Sequence, residues 1–135
     1  MEADIYPLQA PELAELIDGS IGELSLFHER FGYYAQGVGP ETAHLPRGWQ
    51  NRLIRLQSQA TNLRVAYCLD PVDLFVSKAC AAREKDVLFN RALLAHGIVK
   101  IDDCLARAAD LTDPAEATRV KHWITRLAGA SAPPP

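Results

Sequence analysis

The chain has 135 residues, 48% of them hydrophobic, and a formal net charge of −3. That length suits one domain with a core of its own, and no run of about 18 apolar residues marks a membrane span. The acids and bases are interspersed without the basic excess that neutralising a nucleic-acid backbone requires, so duplex nucleic acid is not an expected partner, whereas small phosphorylated ligands are not excluded.

Taken in chain order, residues 3–6 are a short strand candidate, and Pro11 opens a helix with Leu13, Leu16 and Ile17 on one face, ending at Gly19. Residues 24–30 read as a second short helix stopped by Gly32, and residues 33–38 have the aromatic and β-branched content of a strand. Two more strands are expected at 52–56 and 63–69, joined by the polar stretch 57–62 as a hairpin connection. These pieces predict a small mixed sheet of four or five strands in the first half.

Everything after Asp70 reads helical, which argues for an α+β class over alternating βαβ units. Asp70 can cap, Pro71 suits the first helical position, and Val72, Phe75, Val76 and Ala79 make an apolar stripe. A second stripe runs through Phe89, Ala92, Leu93 and His96 to Gly97. The last helix starts at Asp113-Pro114 and carries Val120, Trp123, Ile124 and Leu127 inward. The expected organisation is therefore one domain over residues 1–128, strand-rich over 1–69 and helical over 70–128, packed sheet against helices. Residues 129–135, Gly-Ala-Ser-Ala-Pro-Pro-Pro, offer little to bury and are expected to form a disordered tail.

Cys68, Cys80 and Cys104 are odd in number, lie far apart and form no CxxC pair, which predicts packed, reduced thiols and no zinc site. With an opening MEADIYPLQ that has no signal-like pattern, they point to the cytoplasm. The four histidines show no metal-ligand spacing, and His96 is expected in the core. The charges Lys78, Arg83 and Asp86 stand where two apolar stripes meet. Continuing the helix from Val72 at about 100° per residue would bury Arg83 and Asp86 beside Phe75 and Val76. Either the helix breaks near Ala82, with an Arg83–Asp86 pair tightening the corner, or these residues line a polar pocket.

The stretch DPVDLFVSKACAAREKDVLFNRALL, with HERFGYYAQGVGPETAHLPRGWQNRL and CLDP upstream, resembles a bacterial nucleotidyltransferase-like family, itself similar to AbiEii-type minimal nucleotidyltransferases; the resemblance covers about residues 1–110. In that wider group a glycine-rich turn cradles phosphate, and the following strand carries two acids, one residue apart, that hold a divalent metal. Glu2 and Asp4 occupy the place of that pair, and strand alternation points both to one face, as a shared Mg2+ site requires. Lys78 resembles the family's helical lysine, placed to contact phosphate, Asp86 resembles its following acid, and Arg83 can join them. Gln36 stands on a strand where a third acid would serve.

The resemblance thus implies Glu2, Asp4 and Lys78 as catalytic residues, Lys78, Arg83 and Asp86 toward a nucleoside triphosphate, and Glu2 and Asp4 as metal ligands. Because the chain opens inside the acidic strand, the expectation is a shortened domain without the glycine turn, binding nucleotide and magnesium weakly or catalytically inactive. The alternative is a non-catalytic module on the same fold that forms a homodimer or binds a partner protein, since an uncovered sheet edge and apolar surface invite another chain.

Overall fold

A computed structural model of the chain describes residues 1–130, apart from the side chain of Pro40. These residues are α+β, with the strands in the first half and most of the helix in the second. They form two compact units, residues 1–43 and residues from His44 onward.

In the first unit, β1 (Glu2–Ile5) pairs in parallel with β2 (Tyr34–Gly37), setting Glu2 opposite Tyr34, Ala3 opposite Ala35, Asp4 opposite Gln36 and Ile5 opposite Gly37. Parallel strands need a long crossover, supplied here by a 3-10 turn (Pro11–Leu13), α1 (Ala14–Ile21) and α2 (Leu26–Phe31). The Ser25 hydroxyl caps α2 by accepting the His28 N–H at 3.2 Å, and Gly32 ends it in the left-handed region.

α1 lies on the β2 face that carries Ala35 and Gly37. Ala35 is buried, and a Cβ on Gly37 would stand 2.1 Å from the Ala14 carbonyl oxygen. That contact needs small residues, which explains why the predicted apolar face is rotated: Leu13 and Leu16 are exposed, while Ala14, Ile17 and Ile21 are partly buried. The helix also passes Gly19 and stops at Gly22, where a Cβ would lie 2.2 Å from the Asp18 carbonyl oxygen. A glycine inside a helix costs only about 1 kcal/mol, so Gly19 alone does not end it.

In the second unit, β3 (Ile54–Leu56) and β4 (Ala66–Cys68) form an antiparallel hairpin, with Arg55 opposite Tyr67. The strands therefore make two two-stranded sheets, where the sequence suggested a single mixed one. Every residue of β3 and β4 is exposed, Cys68 included, so this thiol is not packed as expected. The hairpin is held locally, by a Ser58–Thr61 capping box in its connection and by the Gln57 amide donating to the Leu63 carbonyl at 2.7 Å.

The core of this unit belongs to α3 (Pro71–Ala81), α4 (Glu84–Ala95), α5 (Ile101–Ala108) and α6 (Pro114–Ala130). Phe75, Val76 and Ala79 of α3 are buried as predicted, against Cys104, Ala108, Val120, Ile124 and Leu127. The Asp70 carboxylate accepts the Val72 and Asp73 N–H groups, the cap that the sequence announces. On α4 the predicted stripe is turned: Phe89, Ala92 and His96 are exposed, whereas Asp86 and Asn90 are buried beside partly buried Val87, Leu93 and Leu94. Asp86 faces inward there with its charge paired, and Asn90 Nδ2 donates to the Phe75 carbonyl at 3.0 Å, while the buried Asn90 Oδ1 has no hydrogen-bond partner among the described residues. α6 continues through Gly129 and Ala130, two residues into the expected tail; residues 131–135 lie outside the described residues. No helix among the described residues is long and apolar enough to cross a membrane.

Candidate functional site

The first candidate group stands on β1. With Ala35 and Gly37 turned toward α1, alternation sends Glu2 and Asp4, with their register partners Tyr34 and Gln36, to the opposite face. Glu2 and Asp4 are exposed there. The Tyr34 hydroxyl donates to Glu2 Oε2 at 3.1 Å, and that bond, with desolvation and the negative charge of Glu2, pushes the Tyr34 pKa above its ordinary value. The arrangement offers two carboxylates, a phenol and a carboxamide on one patch of sheet, all oxygen donors of the hard kind that suits magnesium. Among the described residues, no three His, Cys, Asp or Glu side chains gather so as to hold a metal ion, so remaining ligands would come from phosphate or water.

The second group stands at the corner between α3 and α4. Ala82 adopts the left-handed conformation at φ +52°, ending α3, and Arg83 starts α4. The helix thus breaks at Ala82, the first of the two arrangements that the charge pattern allowed. Asp86, at the third position of α4, accepts the Arg83 backbone N–H at 3.0 Å and its Nε–H at 2.8 Å. Lys78 Nζ lies 3.6 Å from Asp86 Oδ1 and 4.8 Å from the centre of the Phe89 ring. Asp86 is fully buried while the Arg83 side chain is about half exposed. Burial pushes the Asp86 carboxyl up, but the side-chain and backbone bonds from Arg83 and the charge of Lys78 outweigh it and hold the group below its ordinary value. The corner leaves Lys78 and Arg83 oriented by one buried anion, with Arg83 still open to solvent.

A third polar group has no signal in the sequence. Asp73, fully buried in the first turn of α3, accepts Arg52 Nε–H at 2.8 Å, Arg52 Nη2–H at 2.9 Å and Arg107 Nη1–H at 2.9 Å. Arg107 also reaches Asp70 at 3.3 Å. The partners stand 21 and 34 residues from Asp73, beyond the reach of any spacing rule. This network ties the segment before the hairpin to α3 and α5. Nearby, the Arg47 N–H donates to the Asp110 carbonyl at 2.9 Å and His44 Nδ1 meets Glu116 at 2.7 Å.

Cys80 and Cys104 have their thiol pKa values pushed up to about 12, chiefly by burial and next by the nearby carboxylates Glu116 and Asp103 respectively, so neither is an activated nucleophile. His96 is exposed and not a core residue.

No curated protein and no solved structure matches the chain. A family model described as a nucleotidyltransferase of unknown function (DUF6036) matches residues 4–111. That span takes in Asp4, Gln36, the β3–β4 hairpin and the Lys78–Arg83–Asp86 corner, and it begins two residues after Glu2. Covering most of the sequence, the match shows that the chain belongs to this nucleotidyltransferase family.

Proposed function

We propose that the chain is a cytoplasmic nucleotide-binding domain of the nucleotidyltransferase type: on the first unit Glu2 and Asp4 hold Mg2+, and, taken by itself, the corner of the helical unit offers Lys78 and Arg83, steadied by Asp86, to phosphate. The observation that carries this reading is the pair of carboxylates on one exposed face of β1, in a chain of this family. Magnesium, when bound, neutralises phosphate charge. Lys78 and Arg83 add positive charge on side chains already oriented by Asp86, and Tyr34 orients Glu2. The reaction of this type is attack of an acceptor on the α-phosphorus with pyrophosphate leaving.

The test is calorimetric titration with each of the four nucleoside triphosphates in the presence of magnesium. Binding is expected for at least one, lost in Glu2→Gln/Asp4→Asn, and weakened by about 1–3 kcal/mol in Lys78→Ala, the scale of a charged hydrogen bond. Absence of binding at millimolar ligand ends the reading. Pyrophosphate release, measured separately, tests transfer.

A second reading, a homodimeric module built on the same fold, is favoured by large apolar side chains left open on residues 1–43, Leu24 at 91% and Leu26 at 83% exposed among them. Light scattering across a concentration series tests it, and a strict monomer counts against it.

A further inference from the structure

Charge that looks interspersed along the whole chain is unevenly spread between residues 1–43 and residues 44–69. Residues 1–43 hold eight acidic residues and a single basic one, Arg30. Residues 44–69 hold four arginines and no acid. Arg52 among them is spent on Asp73, but Arg55 and Arg64, on and beside the hairpin, have no ion-pair partner among the described residues. Around them Ile54, Leu56, Leu63, Val65 and Tyr67 are exposed. The first unit carries the complementary combination: Glu12, Leu13, Glu15 and Leu16 are exposed over the 3-10 turn and the start of α1, and neither glutamate has an ion-pair partner among the described residues.

We propose that the β3–β4 hairpin is a docking surface for a second copy of this chain, which presents its Glu12, Leu13, Glu15 and Leu16 face. A generic anionic partner would answer only the arginines. The second copy answers both halves of the surface, since its unpaired carboxylates are interleaved with leucines as the unpaired arginines are interleaved with apolar side chains. A two-fold pair in which each copy gives its acidic face and receives the other's on its hairpin closes without leaving either surface open. Burial of the apolar side chains supplies affinity, and the charges supply register and choice of partner. The proposal deepens the homodimer reading by naming its surfaces.

Sedimentation velocity over a range of concentration and salt provides the test. The expected result is a dimer that weakens as salt rises. Arg55→Glu/Arg64→Glu and Glu12→Lys/Glu15→Lys should each weaken it about tenfold or more through juxtaposed like charges. Both changes are at exposed positions, and circular dichroism checks that each variant is folded. Mixing the two variants should restore the dimer, because one contact of the mixed pair keeps wild-type charges and the other has both signs reversed. Folded variants that stay monomeric on mixing overturn the pairing of these surfaces. A wild-type dimer indifferent to either reversal also overturns it, while leaving a dimer through another face. A strict monomer at high concentration overturns both, as does a monomer that instead retains a single-stranded oligonucleotide through Arg55 and Arg64.

Discussion

Asp73 and Asp86 are both fully buried, and each meets two cationic side chains, Arg52 and Arg107 for the first and Arg83 and Lys78 for the second. Removing one member of a buried pair strands the others without compensation, so Asp73→Ala is expected to destabilise the protein by about 3–5 kcal/mol, read as a lower midpoint in urea unfolding. Asp86 makes stability depend on acid. Its folded pKa lies below the ordinary 3.8, so its contribution is complete above that value and is lost as pH falls through the depressed one. Urea titrations through the acid range should show a steeper loss for the wild type than for Asp86→Asn, which carries no proton to gain. At this scale the sequence revealed the Arg83–Asp86 pair, because three residues of helix separate them, and hid Asp73, whose partners come from distant parts of the chain.

Strand and helix geometry decide which side chains can act together. The parallel register sets Gln36 opposite Asp4 on the face that also carries Glu2, so Gln36→Asp adds a third carboxylate to the patch. The expected outcome is tighter binding of magnesium or manganese than in the wild type, measured by calorimetry without nucleotide; unchanged affinity would show that this face does not hold the metal. The Asp70 cap was legible because a cap depends on neighbours within a turn, whereas the Ser25 cap, at the second residue of the helix expected over 24–30, was not read. The inward phase of α1 and α4 was not. α1 is set by the close approach of Gly37 to Ala14, and α4 by the partners of Asp86 and Asn90, and both are contacts across long stretches of chain.

Over the whole molecule, the two units differ in what they bury. Among the described residues of 1–43 only Gly22 and Ala35 are buried, whereas the helical unit encloses Phe75, Val76, Cys104, Ala108, Val120 and Ile124 completely. Amide hydrogen exchange should therefore be slowest in α3, α5 and α6 and markedly faster in α1, α2 and β1–β2; equal protection in both units would contradict this account. The sequence by itself determined the α+β class, the helix start at Asp70, and the family resemblance, because composition, caps and motif residues are local properties of the chain. Tertiary structure alone decided that the strands form two separate pairs and that Asp73 gathers two arginines. Each of these depends on which distant residues meet, and local spacing carries no record of that.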